Sequence, residues 1–197
     1  ISTYVDFAYQ KAMQLAAAEA GGADGPINQL RSVVATLDFH LLIENLRAEK
    51  RADAEAQVTE TIETLARAGA DFIVVTSGTT STLTGPAREC IKLPFLDLAG
   101  SCFKPKPPPS PIGLLATGYT VKAGQFGAAA ATKLIVPKDK TQQRTDQAIF
   151  GDLVRGNPGR TSIDIFREAL AELAAAGAKS IILGNTDLTL VADELKK

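Results

Sequence analysis

Two short polar turns contain the side chains best suited to hold a small anion. The first is Ser77-Gly78-Thr79-Thr80-Ser81 and the second is Gly184-Asn185-Thr186-Asp187. Each turn directly follows a short apolar run that predicts a buried strand, 72–75 before the first and 181–183 before the second. Turns beyond the carboxyl ends of parallel strands present hydroxyl and backbone N–H groups, which suit a carboxylate or a phosphate. The sequence therefore predicts an anion-binding function for these two turns.

The two turns follow copies of one repeated segment. Residues 65–75, LARAGADFIVV, align with residues 173–183, LAAAGAKSIIL. Both copies read as the end of an Ala-rich helix, a Gly-Ala turn and a buried strand, and in this register Ser77 corresponds to Asn185. We expect the Ser77 and Asn185 side chains to face each other across a cleft between two related lobes. The alternative is that both segments are ordinary α/β units with capped turns.

Apolar runs that predict strands alternate with helical patterns along the chain. The predicted helices are 3–20, 41–50, 53–68, 120–131, 141–154 and 162–176, and the predicted strands are 32–37, 72–75, 112–116, 134–136 and 181–183. This alternation is typical of an α/β fold, a mostly parallel sheet flanked by helices. The Pro-rich stretch 104–111, KPKPPPSP, is predicted to be a semi-rigid connector between a first lobe, 1–103, and a second, 112–197.

Composition and charge exclude several classes of function. The chain has 197 residues, a net charge of −1 and no basic cluster, which argues against a nucleic-acid or anionic-membrane surface. No apolar run approaches the ~20 residues that a membrane span needs. Two cysteines are too few for a disulfide framework, so we expect a cytoplasmic protein. The single histidine, His40, excludes a zinc site with several His ligands; we expect no metal and interpret His40 as structural or incidental.

Five segments occur in an order shared with a known family: 36–39 (TLDF), 68–75 (AGADFIVV), 113–120 (GLLATGYT), 135–137 (IVP) and 177–184 (GAKSIILG). Together they resemble the aspartate/glutamate racemase superfamily, amino-acid racemases that work without pyridoxal phosphate or another cofactor. The resemblance implies two α/β lobes related by a pseudo-twofold axis, with the substrate carboxylate between them.

The resemblance also implies a catalytic cysteine in each turn, and this chain has neither. Ser77 stands where the family has the cysteine of a Cys-Asn-Thr-Ala-His pattern, and Asn185 where it has the cysteine of Gly-Cys-Thr-Glu. A thiol, with a pKa of ~8.5, can be tuned toward neutrality, whereas a serine needs an adjacent base and an asparagine amide has no useful proton equilibrium. Cys90 and Cys102 lie outside both turns and are interpreted as packing or surface thiols.

The other candidate site residues are assigned to substrate binding. They are Thr36, Gly78, Thr79, Thr117, Thr120, Lys122, Thr186 and Asp187. Asp187, at the family's Glu position, either holds a substrate ammonium or interacts with a helix dipole. Lys122 either pairs with a distal carboxylate or is a solvated helix lysine.

Three functions remain open on these residues. The leading one is a racemase-family protein that binds a small amino acid or dicarboxylate and whose two-thiol racemase activity is lost or strongly reduced, as in a pseudoenzyme. The second is an active isomerase or decarboxylase of the same family that uses non-cysteine chemistry. The third is a non-catalytic structural or regulatory partner. The resemblance also allows a homodimer.

Overall fold

A computed structural model describes residues 3–20, 30–104 and 106–196. The fold is α/β, with helices around short parallel strands. The helices are α1 Thr3–Ala20, α2 Phe39–Arg47, α3 Arg51–Arg67, α4 Gly78–Ser81, α5 Gly85–Cys90, α6 Leu98–Ser101, α7 Gly118–Ala123, α8 Gln125–Ala130, α9 Asp139–Gly151, α10 Arg160–Ala175 and α11 Ala192–Leu195. The strands are β1 Ile73–Val75, β2 Phe95–Asp97, β3 Ile112–Leu115 and β4 Ser180–Leu183.

The described residues divide into two compact units. One contains residues 74–82, 96–104 and 106–196, and the other contains residues 3–20, 30–73 and 83–95. The lobes predicted at 1–103 and 112–197 follow a different division and stay a prediction. In the first unit the proline-rich segment runs beside the start of β4, because the backbone N–H of Lys179 donates to the carbonyl of Pro111 at 2.8 Å and Ser180 Oγ donates to the carbonyl of Pro109 at 2.6 Å.

Strand β3 is the centre of the first unit. It pairs in parallel with β4, from Ile112 beside Ser180 to Leu115 beside Leu183, and its other edge bonds to Ile135. All four residues of β3 are buried, as expected of a parallel strand covered on both faces.

Alternate residues of β3 supply two apolar layers. Leu115 belongs to a cluster with the core residues of α9 and α10, which include Ile149 and Phe166. Ile112 and Leu114 belong to a second cluster with Phe126 of α8. The two-residue period of a strand thus places helices against both faces of the sheet.

Most of the predicted elements are confirmed. Helix 3–20 is present with the same bounds, and helices 41–50, 53–68 and 162–176 are present with ends shifted by one to three residues. Strands 72–75, 112–116 and 181–183 are present as β1, β3 and β4. The Ser2 cap and the Gly21-Gly22 stop predicted for the first helix lie outside the described residues. Among the helices of the described ranges, none is long and apolar enough to cross a membrane.

Four predictions of secondary structure are wrong in whole or in part. Segment 32–37 is not a buried strand: Val33 and Val34 are 59% and 51% exposed, and within the described chain no strand pairs with them. Segment 134–136 forms a single bridge at Ile135. Helix 120–131 is broken at Gly124, which has a φ of 70°, and helix 141–154 ends at Gly151 before a short 3-10 turn. No pattern in the sequence predicted β2, α5 or α6.

The residue before helix α9 makes no side-chain capping bond, and a carboxylate of α10 accepts hydrogen bonds at this helix end instead. Lys138, which precedes α9, makes no side-chain cap bond. Instead, the carboxylate of Glu172 on α10 accepts hydrogen bonds from the Lys138 N–H and the Thr141 hydroxyl, each at 2.6 Å. The bond from Thr141 makes the largest contribution and the bond from Lys138 the next largest; together they lower the pKa of Glu172 below its usual value of 4.5. The carboxylate therefore fastens α10 to the first turn of α9.

We expect Glu172→Gln to lower the free energy of unfolding by about 1 kcal/mol at pH 7, because an amide accepts fewer of these bonds. A folded pKa below the unfolded one adds stability above the unfolded pKa, and this is lost as pH falls through the folded pKa. The difference between the two proteins should therefore shrink below pH 4.5. Urea unfolding at pH 7 and pH 3.5 measures both values.

The matched control is Glu168→Gln on the same helix. Glu168 pairs with Arg144 of α9 at 2.5 Å, but the two side chains are 54% and 39% exposed. Exposed pairs contribute roughly 0–1 kcal/mol. An equal loss from both variants, or a Glu172→Gln effect that does not change with pH, would contradict the capping role.

Candidate carboxylate-binding site

Within the described residues, each of the four strands leads into a short helical turn whose first N–H groups bond to a side chain. Ser77 Oγ accepts from the Thr80 N–H at 3.2 Å after β1, and Thr117 Oγ1 accepts from the Thr120 N–H at 3.3 Å after β3. After β4, Asn185 Oδ1 accepts from the Asp187 N–H at 3.0 Å. At the end of β2, Asp97 Oδ1 plays the same part for the Gly100 N–H at 3.0 Å. The recurring cap places polar side chains at the carboxyl end of every strand.

Three threonine hydroxyls join the turns after β1 and β3. Thr79 Oγ1 lies 2.9 Å from Thr117 Oγ1, which lies 3.0 Å from Thr120 Oγ1. We call these three residues the hydroxyl chain. All three are at least 98% buried. Three hydroxyls carry three protons and their two mutual contacts use two, so one O–H remains for another acceptor.

The turn after β1 also lies against the turn after β4. A Cβ atom at Gly78 would clash with the carbonyl oxygen of Gly184 and lie 3.3 Å from Thr120 Oγ1, so only glycine permits this approach. The Gln125 side chain of α8 donates to the Gly78 carbonyl at 2.8 Å. Ser77 and Asn185, which flank this contact, are both buried. One compact unit thus brings the two repeated turns and the hydroxyl chain together.

Ser77 and Asn185 offer hydrogen bonding and no acid–base pair. Ser77 Oγ accepts a hydrogen bond from the Thr80 N–H, and within the described residues no hydrogen bond joins it to an imidazole or a carboxylate. A serine hydroxyl with no adjacent base is a poor proton acceptor or nucleophile at neutral pH. Asn185 uses its carbonyl oxygen as a cap.

The other sequence-predicted site residues are divided between the two units. Gly78, Thr79, Thr117, Thr120, Thr186 and Asp187 lie in the unit just described, all in the turns, and Thr186 and Asp187 are buried. Lys122 is exposed on α7 of the same unit. Thr36 is exposed in the other unit, on the segment that does not form a strand. His40 is exposed on α2.

The sequence analysis did not predict three residues on helices α8 and α9 that hydrogen-bond to the backbone of the turns. Gln125 is one, and Gln142 and Asp146 of α9, which bond to the turn after β3, are two more. One signal was present in the sequence: Ser77-Gly78-Thr79-Thr80 and Thr117-Gly118-Tyr119-Thr120 share the pattern Ser/Thr-Gly-x-Thr, which marks the two turns as equivalent. The amide and carboxylate of α9 carry no such local pattern.

Comparison with known proteins identifies the family of this chain. The model of the Asp/Glu/Hydantoin racemase family matches residues 9–197. The chain belongs to this family. The match covers nearly the whole chain, including all three polar turns of the candidate site.

Two solved structures share the fold of this racemase-family chain. The crystal structure of "a putative Asp/Glu Racemase from Yersinia pestis" superposes with a TM-score of 0.73 at 22% sequence identity, covering 95% of this chain and 83% of the other. An aspartate racemase homologue from Pyrococcus horikoshii OT3 superposes with a TM-score of 0.61 at 19% identity, with the same coverages. At these identities the likeness concerns the fold.

Neither thiol of this family member lies in a polar turn. Cys102 is an exposed residue that follows α6, and desolvation of its thiol by the surrounding protein raises the thiol pKa, which disfavours the reactive thiolate. Cys90 is exposed at the end of α5 in the other unit, where its thiol lies 3.3 Å from the Pro86 carbonyl. Across the described ranges, no group of His, Cys, Asp and Glu side chains is placed to hold a metal ion.

The hydroxyl chain generates a stability prediction. Thr117→Val keeps the side-chain volume but removes the acceptor of the Thr120 N–H and the partner of Thr79. We expect the free energy of unfolding to fall by about 1–3 kcal/mol, the usual cost of buried polar groups left unpaired.

Thr145→Val on α9 is the matched control. Thr145 is fully buried as well, but its hydroxyl has no hydrogen-bond partner in the described part of the chain. Its replacement should therefore change stability by less than about 0.5 kcal/mol or increase it. Thermal and urea unfolding measures the loss of stability in both variants. Equal losses in Thr117→Val and Thr145→Val would count against a stabilising role for the hydroxyl chain.

Proposed function

We propose that this racemase-family chain binds a small amino acid or dicarboxylate through a carboxylate group at the turns after β1, β3 and β4, and that the two-thiol racemase reaction is lost or strongly reduced. The observation that carries the proposal is the buried hydroxyl chain of Thr79, Thr117 and Thr120. The proposal includes a cytoplasmic location, which the low cysteine content favours, together with no cofactor and a homodimer, as the resemblance implies.

The proton count favours an acceptor as the ligand. One O–H of the hydroxyl chain has no acceptor among the bonds of these three residues, and a buried donor left unpaired costs about 1–3 kcal/mol. A carboxylate oxygen would satisfy it with a charge-assisted bond, which is stronger than a neutral one.

The neighbouring side chains suit the two ends of an amino acid. Ser77 and Asn185 can bond to a carboxylate or amide, and the buried Asp187 is the candidate partner of a ligand ammonium. Lys122 is the candidate partner of a distal carboxylate, because it is exposed on the helix that follows the Thr117 turn. Asp187 and Lys122 favour an acidic amino acid, which offers both an ammonium and a distal carboxylate; a dicarboxylate offers the distal carboxylate alone.

Loss of the two-base reaction follows from the residues at the family's cysteine positions. Racemisation by two bases removes the α-proton on one face and returns a proton on the other. Within the described residues Ser77 is hydrogen-bonded to no side-chain base, and Asn185 cannot ionise, so neither supplies a group of suitable pKa. General acid–base catalysis is typically worth 10²–10⁴-fold, and its loss should remove most of the rate.

We expect Thr120→Val to weaken binding of L-aspartate or succinate at least about fivefold, because it removes the hydroxyl at one end of the hydroxyl chain and with it one position from which the spare O–H can be donated. Titration calorimetry of the wild-type protein and the variant measures the dissociation constants. Thr145→Val, which removes a buried hydroxyl outside the hydroxyl chain, should leave the affinity unchanged. No binding of either ligand to the wild-type protein, or equal affinities in all three proteins, would contradict the binding site.

We expect the wild-type protein to exchange little α-deuterium into aspartate or glutamate in deuterated water, and Ser77→Cys with Asn185→Cys to create measurable exchange and racemisation. Each single change should give much less racemisation and at most one-sided exchange, because a two-base mechanism needs a group on each face and such groups act non-additively. Proton NMR of the substrate α-position measures the exchange.

Two results would contradict this account of the chemistry. Wild-type exchange at rates typical of enzymes, ~1–10³ s⁻¹, would show that other residues perform catalysis and would favour the active isomerase or decarboxylase. A folded double variant that binds aspartate but exchanges no deuterium would show that the turns do not hold the α-carbon between positions 77 and 185.

A further inference from the structure

Helix α9 directs two polar side chains, Gln142 and Asp146, at the turn between β3 and α7. They are four residues apart and therefore lie on one face of the helix. Gln142 Nε2 donates to the carbonyl oxygen of Ala116 at 2.8 Å and to Asp146 Oδ1 at 3.0 Å. Asp146 Oδ1 also accepts from the backbone N–H of Gly118 at 2.8 Å. The amide and carboxylate thus form one connected network with the turn.

The two backbone groups in this network flank Thr117. Ala116 and Thr117 are fully buried, so their position is set by packing and by these bonds. Gly118 permits the approach of Asp146, since a Cβ atom there would be 2.7 Å from Asp146 Oδ2. The α9 pair therefore holds the backbone on both sides of the central residue of the hydroxyl chain.

The hydroxyl contacts of Thr117 depend on that position. Its Oγ1 lies 2.9 Å from Thr79 Oγ1, 3.0 Å from Thr120 Oγ1 and 3.3 Å from the Thr120 N–H. Displacement by a few tenths of an ångström would bring these contacts to the limit of useful hydrogen bonding.

The network carries two free-energy costs that a purely structural contact would not need. Asp146 is partly buried, and this burial raises the pKa of its carboxyl group, against the opposite effect of the bonds from Gly118 and Gln142. Gln142 leaves its Oε1 atom buried with no partner in the described chain. Apolar side chains would pack α9 against β3 without either cost.

We infer that Asp146, together with Gln142, is a positioning residue of the carboxylate-binding site: the pair fixes the Thr117 hydroxyl so that the hydroxyl chain is held ready for its ligand. The expected effect of the pair on ligand binding rests on the proposed function. The effect of the pair on the turn itself does not depend on any ligand.

The experiment compares four variants with the wild-type protein: Asp146→Ala, Asp146→Asn, Gln142→Ala and, as the control, Gln147→Ala. Asparagine keeps an oxygen that can accept from Gly118 and Gln142, whereas alanine keeps none. Gln147 is exposed on the same helix, next to Asp146. Each protein is measured well below its melting temperature, first without ligand by amide NMR and hydrogen exchange, then by calorimetry with L-aspartate.

Without ligand, we expect Asp146→Ala to speed exchange of the Gly118 amide at least about tenfold and to shift the amide resonances of Thr117 and Thr79. Gln142→Ala should shift the same two resonances. Asp146→Asn should restore the wild-type values and Gln147→Ala should keep them. With ligand, the two alanine variants of the network should bind L-aspartate roughly fivefold to tenfold more weakly, and Asp146→Asn should bind normally.

A folded Asp146→Ala protein with wild-type Gly118 exchange and wild-type Thr117 and Thr79 resonances would overturn the inference. If that variant does not fold, wild-type resonances in Gln142→Ala would overturn it instead. Equal aspartate affinity in the wild-type protein and both alanine variants would also overturn it, with the proposed function intact. Absence of aspartate binding to the wild-type protein would instead contradict the proposed function, and the resonances would still decide whether the pair positions Thr117.

Discussion

The buried contact between the hydroxyls of Thr79 and Thr117 joins two turns that are 38 residues apart in the sequence. Each turn follows a strand, and each must satisfy the first N–H groups of a short helix without help from water. The chain solves this with a side chain at each strand end, and at two of these ends the turns come close enough for their hydroxyls to bond. The close approach of Gly78 to Gly184 then adds the turn after β4 to the same group.

This constraint separates binding from catalysis in the proposed function. Caps and hydroxyl contacts require small polar residues, and such residues suit a carboxylate whether or not the site can move a proton. The family's fold therefore persists in a chain whose turns carry Ser77 and Asn185. Proton transfer needs groups of tuned pKa, and neither residue supplies one.

Local patterns in the sequence predicted the long helices and the three strands that lead into the polar turns, because apolar periodicity and flanking glycines specify these elements directly. The same reasoning failed at segment 32–37, where β-branched residues predict a strand but a strand also needs a partner, and at 120–131, where Gly124 interrupts a run of helix-forming residues. The turns and their threonines were predicted from the repeat and from the resemblance. Gln125, Gln142 and Asp146 could not be, because their part depends on tertiary contacts that no local pattern specifies.

The central claim is that a carboxylate binds at the hydroxyl chain. The most direct measurement is NMR of protein labelled with carbon-13 at the threonine methyl groups, titrated with L-aspartate. The account predicts saturable shifts of the Thr79, Thr117 and Thr120 methyl resonances with one common dissociation constant, while Thr61 of α3 does not move. Saturable shifts of other methyl resonances without any shift of these three, or no shift at millimolar aspartate, would contradict it.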